Sequence, residues 1–270
     1  MRLRRLGWAG VELEARGERL VVDHLLDPGV LAHFFGEERD ELITPDPGGA
    51  CAALVTHLHR DHTDVTAIAG ALSPDGIVLR PERREAMSKF DEVATGEAER
   101  AFTDCSLDVR SCRAGDTVEV GPFVATAKFA SDGLGSPQVS WMIEAEGVSV
   151  FHGGDTLWHG AWWDIALAHD QIDIACLPAN GVEIAYPHLK PPAAVPAVMT
   201  PHQAVEAARV LRTHLMVPIH YNRTFEHPEY YRPVADAAEQ IRARAAERGV
   251  STRFLEPGEW HEIEAVAARA

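Results

Sequence analysis

The sequence predicts an α/β protein in which mixed sheets are covered by helices. Three observations predict it. The first quarter is a run of short strand-like segments divided by glycine turns, and the last third alternates apolar strands with helical stretches. The 270 residues, 46% of them hydrophobic, are enough for an ample core. No linker divides the chain, so residues 1–270 are expected to form one domain.

The elements follow in order. "RLRRLG", "GVELEAR" and "ERLVVD" read as strands. Residues 27–50 are irregular and rich in Pro and Gly, and a loop of that length often covers a site. "CAALVT" is a buried strand, and "TDVTAIAGAL" is a helix with Thr63 or Asp64 as its cap. "GIVLR" is a strand, and "PERREAMSKFDEVATGEAERAF" is mostly helical. Strands are expected at "SLDVRSC", "DTVEVG", "FVATAKF", "VSWMIEAE" and "VSVFHG". In the last third, "QIDIACLPA" is a strand, "TPHQAVEAARVLRTH" a helix, "LMVPIHY" a strand and "PVADAAEQIRARAAERG" a helix. "STRFLEPGEWHEIE" closes as strand and turn.

The formal net charge is −16 and basic residues do not cluster, apart from short pieces such as Arg2/Arg4/Arg5 and Arg83/Arg84. That disfavours tracking a phosphate backbone, so nucleic acid is not an expected partner. No apolar run approaches the roughly 20 residues of a membrane-spanning helix, and the basic start "MRLRRLGWAG" has no apolar stretch behind it. A cytoplasmic protein with a small-molecule substrate and no membrane partner is expected, and a homo-oligomer is compatible with the sequence. Cys51, Cys105, Cys112 and Cys176 form no CxxC pair; Cys51 and Cys176 read as buried small hydrophobes, a disulfide between Cys105 and Cys112 is the less expected reading, and none is a first choice of metal ligand.

The chemistry concentrates at "THLHRDH", residues 56–62, directly after a buried strand. Side chains of an extended segment alternate faces, so His57 and His59 point the same way. Asp61 and His62 follow where the chain turns toward a helix. Imidazole and carboxylate are the ligand set of zinc, manganese or iron, and this spacing can hold two adjacent ions. His57 and His59 would take one ion, and Asp61 and His62 the other.

"THLHRDH" resembles the HxHxDH signature of the metallo-β-lactamase-fold hydrolases. The resemblance implies a four-layer αββα sandwich with the metal site at one edge of two sheets. "FHGGDT" (151–156) is similar to the family's GDT segment, which implies that Asp155 bridges two metals. "VPIHYN" (217–222) is similar to its terminal histidine segment, which implies His220 as a further ligand. "GWAGVELEARGERLVVD", "SDGLGSPQVSW", "GGDTLWHGAWW", "LPANG" and "MTPHQAVEAARVL" look like the branch related to L-ascorbate-6-phosphate lactonases, and the likeness covers nearly the whole chain.

One ligand departs from the pattern. The family offers another histidine near residues 125–135, where this chain reads "ATAKFASDGLG". Asp132 is the nearest ligand-type residue. As a ligand it would shift preference toward a harder ion; as part of Ser131-Asp132-Gly133 it is simply a turn. The cofactor expectation is two divalent ions, Zn²⁺ first, with Mn²⁺ or iron as alternatives.

The remaining histidines are sorted by context. His159, in "LWHG", is expected as a proton donor in the pocket, the alternative being packing against Trp158, Trp162 and Trp163. His24 reads as structural and His188 as bordering the pocket. His33, His169, His202, His214, His227 and His261 read as surface or core. The expected reaction is attack of a metal-bound hydroxide on a small ester, lactone or phosphoester, oriented by Asp61. The alternatives are an iron-dependent oxidoreductase or dioxygenase of the same fold, and a metal-binding relative without catalysis.

Overall fold

The computed structural model describes residues 1–34, 41–83, 89–135, 137–187, 189–221 and 227–264. In chain order the first half runs β1 (Arg2–Gly7), β2 (Gly10–Ala15), β3 (Glu18–Val22), β4 (Ala50–Leu54), α1 (Val65–Ala71), β5 (Leu72–Pro81), α2 (Lys89–Asp104) and β6 (Asp108–Cys112). Next come β7 (Thr117–Val120), β8 (Phe123–Phe129), β9 (Val139–Ala145), β10 (Val148–His152), α3 (Trp162–Leu167) and β11 (Ile172–Pro178). The chain ends with β12 (Glu183–Ile184), α4 (Pro201–Val210), β13 (Thr213–Ile219), β14 (Tyr231–Arg232), α5 (Ala237–Arg248) and β15 (Trp260–Glu262). A 3-10 turn spans Gly29–Phe34.

Two large sheets result. One has the order β15-β1-β2-β3-β4-β5-β6, the other β13-β11-β10-β9-β8-β7, and β12 and β14 form a small third sheet. The strands nearest the site are parallel within each large sheet: β3, β4 and β5 in one, β10, β11 and β13 in the other.

Side-chain parity builds the layers. Ala52 and Leu54 pack in the core between the sheets, with Leu20, Val22, Ile77 and Leu79 beside them. Their neighbours Ala53, Val55, Val21 and Val78 pack against Val65 and Ile68 of α1 and Phe102 of α2. The second sheet obeys the same rule. Trp141, Ile143, Val150, Ile174 and Val217 enter the central core, while Met142, Phe151, Ala175 and Met216 meet α3, α4 and α5. A strand buried on both faces reads as a continuous apolar run, which is why "CAALV" and "LMVPI" carry no alternation. The outcome is the expected αββα sandwich.

Local differences have local causes. β5 starts at Leu72, ahead of the expected "GIVLR". Among the described residues, the helix expected over 81–102 begins at Lys89. Asp64, not Thr63, caps α1, with its Oδ1 3.0 Å from the Ala67 amide. Thr200 and Gln203 close a reciprocal capping box at the start of α4. The helix α3 and the pair β12/β14 were not expected. All four cysteines are free. No helix of the described residues is long and apolar enough to cross a membrane.

Candidate metal centre

The ligand-type side chains all leave the carboxyl ends of strands at one edge of the sandwich. The segment after β4 carries His57, His59, Asp61 and His62; Asp132 follows β8, Asp155 follows β10 and His220 follows β13. The two sheets are tied together at this point. The Val139 amide donates to the Thr56 carbonyl at 2.9 Å, and Trp141 Nε1 donates to the Val55 carbonyl at 3.1 Å.

Seven side chains gather in two groups. Asp61, His62, Asp155 and His220 each offer an atom within 4.8 Å of the others, and so do His57, His59 and Asp132. In the second group Asp132 Oδ2 lies 3.6 Å from His57 Nε2 and 3.4 Å from His59 Nδ1. In the first, Asp61 Oδ2 lies 3.6 Å from His62 Nε2 and 3.3 Å from His220 Nε2. Asp155 connects the groups. Its Oδ1 is 2.9 Å from His62 Nε2, and its Oδ2 is 2.9 Å from His220 Nε2 and 4.0 Å from His57 Nε2.

These residues fit divalent ions. An ion holding nitrogen and oxygen ligands at about 2.0–2.2 Å sets neighbouring ligand atoms roughly 3.2–3.6 Å apart. Most of the spacings above fall there, longer than an ordinary hydrogen bond. Moreover, His57 Nε2 and Asp132 Oδ2 are buried with no hydrogen-bond partner among the described residues. Buried polar atoms are otherwise almost always paired.

A layer behind the ligands fixes which nitrogen faces inward. Asp23, at the end of β3, has Oδ2 2.7 Å from His62 Nδ1, so Nδ1 carries a proton and Nε2 is the nitrogen left to face an ion. The Thr56 hydroxyl donates to the same carboxylate oxygen at 2.7 Å and lies 3.0 Å from His57 Nδ1, which orients His57 likewise. Trp8 Nε1 donates to Asp61 Oδ2 at 3.1 Å, and its ring centroid stands 4.2 Å from that of His220. Trp8, Asp23 and His220 have φ of 43°, 47° and 55°. Such left-handed conformations are strained for bulky residues and persist where surrounding contacts enforce them.

The electrostatics follow from burial and charge. Burial holds His57 well below the ordinary imidazole value, and the neighbouring His62 and His59 add to this. For His62, burial works against the charged form, but Asp155, Asp61 and Asp23 prevail and raise it well above its usual value. His220 is raised for the same reason, chiefly by Asp155. Burial likewise opposes ionisation of Asp155, yet His220 and His62 hold its carboxyl well below the usual range. Asp132 goes the other way: burial pushes it up to about 6. The carboxylates draw positive charge, whether protons or a cation, onto this point.

Above the cluster lies a cavity of about 730 Å³. His59, Asp61, Asp132, Asp155 and His220 form its floor, and Phe34, Ile184, Tyr186 and Tyr231 stand in its wall.

A family model described as "Beta-lactamase superfamily domain" matches residues 19–221, from β3 to just past His220. The chain belongs to the β-lactamase superfamily. Among curated relatives, a UPF0173 metal-dependent hydrolase of Thermus thermophilus is 27% identical over 261 residues, covering 95% of this chain and 96% of that one. The structure of Igni18, a metallo hydrolase from Ignicoccus hospitalis, superposes with a TM-score of 0.63 at 19% identity, covering 97% and 99% of the two chains. CmlA, a diiron β-hydroxylase from Streptomyces venezuelae, superposes with a TM-score of 0.69 at 17% identity, covering 96% of this chain and 53% of that one. These structures share the superfamily fold.

Of the expected site residues, His57, His59, Asp61, His62, Asp132, Asp155 and His220 are brought together, and His159 is not. The His159 ring stacks on Trp162 at 4.5 Å with an interplanar angle of 4° and meets Phe129 edge-on at 5.0 Å. It does not line the cavity. Burial lowers it to about 4, so it is neutral at pH 7 and a poor acid. The packing alternative therefore describes it. Asp132 is both turn and cluster member. Its Oδ1 accepts from the Leu134 amide at 2.5 Å while Oδ2 faces the histidines. His152 is fixed elsewhere, its Nε2 2.9 Å from the Ala9 carbonyl. His188 lies outside the described residues. His33, read as surface or core, is exposed at the cavity. The sequence reading missed Trp8, Asp23 and Thr56. Their only local signal was an aspartate and a threonine following buried strands.

Proposed function

We propose that this protein is a metal-dependent hydrolase of a small ester, lactone or phosphoester. The observation that carries the reading is the convergence of the seven side chains in two groups joined by Asp155, five of them forming the floor of a cavity. The Thermus relative, a metal-dependent hydrolase by name, supports it.

His57, His59 and Asp132 would hold one ion, Asp61, His62 and His220 a second, and Asp155 would contact both. A pair of divalent ions supplies an acidified water and polarises the oxygen of the scissile group. The rest is done by the chain. Asp23 and Thr56 hold the Nδ1 atoms of His62 and His57, so that the Nε2 atoms are the ones an ion would take. Trp8 holds Asp61 Oδ2 in place, and Asp61 orients the attacking water by accepting its hydrogen bond. The three carboxylates Asp61, Asp132 and Asp155 surround the site with negative charge. Zn²⁺ is the first assignment, and the carboxylate at position 132 makes Mn²⁺ or iron the next.

The test is elemental analysis of the purified protein followed by turnover on a panel of esters, lactones and phosphoesters. About two ions per chain and chelator-sensitive hydrolysis are expected. His59→Ala and Asp61→Ala should each lose most turnover and keep the native circular dichroism spectrum. Full metal loading without turnover of any panel member would overturn the reading in favour of a non-catalytic metal-binding protein.

A second reading has a specific observation behind it. His57, His59 and Asp132 make a two-histidine, one-carboxylate set, the ligand type of non-haem iron oxygenases. CmlA, with the same fold, is a diiron β-hydroxylase. Iron in the purified protein together with substrate-dependent oxygen uptake would favour that reading over hydrolysis.

A further inference from the structure

The cavity has two unlike ends. Its floor is the polar cluster, and its wall is apolar. Phe34 lies 5.7 Å from Tyr186 and 5.7 Å from Tyr231, the latter nearly parallel at 29°. Ile184 on β12 pairs across the small sheet with Tyr231 on β14. Val182 and Val198 line the cavity beside them, in one apolar cluster with Phe34, Ile184 and Tyr231. The Tyr231 hydroxyl accepts from Asn180 Nδ2 at 3.1 Å, which fixes the ring. The small third sheet, with Phe34 and Tyr186, thus builds an aromatic and aliphatic surface over the metal-binding end.

Among the described residues, the cavity wall offers no unpaired arginine or lysine to an anionic group on the substrate. Arg60 is the one arginine or lysine among the described lining residues. It is shared between Asp27, at 3.0 Å, and Glu97, at 3.2 Å. That group carries a net −1, whereas at the floor two divalent ions would offset the three aspartates. A charged group on the acyl part, away from the floor, would meet repulsion beside Asp27 and Glu97, and the formal charge of −16 works in the same direction. A volume of about 730 Å³ accommodates a drug-sized molecule, so a bare acetyl group would leave most of the wall uncovered.

We propose that the substrate is an uncharged ester or lactone whose acyl part is a medium alkyl chain or a single aromatic ring. That part packs on Phe34, Ile184, Tyr186 and Tyr231 and turns its carbonyl toward Asp61 and Asp155. This rests on the hydrolase reading and narrows it, setting phosphoesters and phosphorylated lactones aside. In the reaction, water oxygen bonds to the carbonyl carbon, the acyl C–O bond breaks, and the water proton ends on the leaving oxygen.

The experiment has a turnover arm and a binding arm, both on the full chain reconstituted with Zn²⁺ or Mn²⁺. Turnover is measured on p-nitrophenyl acetate, butyrate and hexanoate, and on p-nitrophenyl phosphate. Binding of acetate, hexanoate and hexyl phosphate is measured by calorimetry. In the expected result, kcat/KM rises roughly threefold to fourfold per added methylene, and the phosphate ester is the poorest substrate. Hexanoate binds at least about tenfold tighter than acetate, from the same transfer term, and, as the product of the favoured ester, tighter than hexyl phosphate. Ile184→Asp removes the chain-length gain, and Tyr186→Ser serves if that variant does not fold.

A flat chain-length profile in an active enzyme, or a preference for the phosphate ester or hexyl phosphate, overturns the substrate class and leaves the hydrolase reading standing. Absence of turnover on every ester overturns the hydrolase reading instead. The binding arm then decides separately: tighter hexanoate upholds the apolar pocket, and equal binding of acetate and hexanoate overturns it.

Discussion

The Nδ1 of His62 donates to Asp23 Oδ2 across 2.7 Å, between two side chains that are both fully buried. Thr56 donates to the same oxygen at 2.7 Å, so one carboxylate sets the tautomer of two histidines. Partners of this kind typically contribute 10–100-fold to metal affinity. Asp23→Ala is therefore expected to weaken metal binding by about 10–100-fold, measured by competition with a chromophoric chelator. Asp23→Asn keeps the shape but can turn its amide N–H toward His62, so it should lose nearly as much. Unchanged affinity in both variants would show that neither histidine depends on Asp23.

Position 132 separates the turn from the ligand. Removing Oδ2 in Asp132→Ala should cost one ion of two by elemental analysis, while the site holding Asp61, His62 and His220 stays loaded. Asp132→Asn keeps an oxygen for the Leu134 amide but loses the charge, so it should keep the turn and still bind the first ion weakly. If both variants retain two tight ions, Asp132 is a turn residue only.

Legibility divides along sequence distance. "CAALV", "VSVFH" and "LMVPI" were readable as strands because burial on both faces leaves an unbroken apolar run. The cluster at 56–62 was readable because its four polar side chains are local. Asp23 was not, since its partner His62 lies 39 residues away. Trp8 contacts Asp61 across 53 residues, and nothing near Trp8 announces it. The helix α3 is six residues long without a side-chain cap, too short for helical periodicity to register. The strands β12 and β14, at two residues each, carry no pattern at all, yet they bear the cavity wall. His159 was misplaced because spacing from Asp155 suggested the cavity, whereas a flat stack on Trp162 three residues later claims its ring.

The turn before Asp155 admits little change. Gly154 has φ of +60°, and a Cβ there would meet Thr56 Oγ1 at 2.6 Å and Thr56 Cβ at 2.7 Å. Thr56 is the residue that orients His57. Gly154→Ala should thus lower stability by about 1–3 kcal/mol, for strained backbone and a forced contact. It should also weaken metal binding, a coupling that a purely structural glycine would not show. Thermal unfolding and metal titration of the same variant test the two effects together.

Outside the site, acid sensitivity is expected to centre on Glu206. Its carboxylate joins α4 to α5, with Arg209 Nε at 2.9 Å, Arg248 Nε at 2.7 Å and Arg244 Nη2 at 3.2 Å. Partial burial raises its pKa, but the hydrogen bonds from Arg209 and Arg248 outweigh that and bring it down to about 2. A carboxyl whose folded value lies below its unfolded one stabilises the fold above the unfolded value, near 4.5. That contribution fades as the pH falls toward 2. Solvent screening at this surface limits it to about 1 kcal/mol. Glu206→Gln should therefore lower stability by about that amount at pH 7 and flatten the decline between pH 4.5 and 2. Urea unfolding at pH 7, 4.5 and 3 measures it: parallel pH profiles for the variant and the parent would show that the arginine cluster contributes nothing to acid stability.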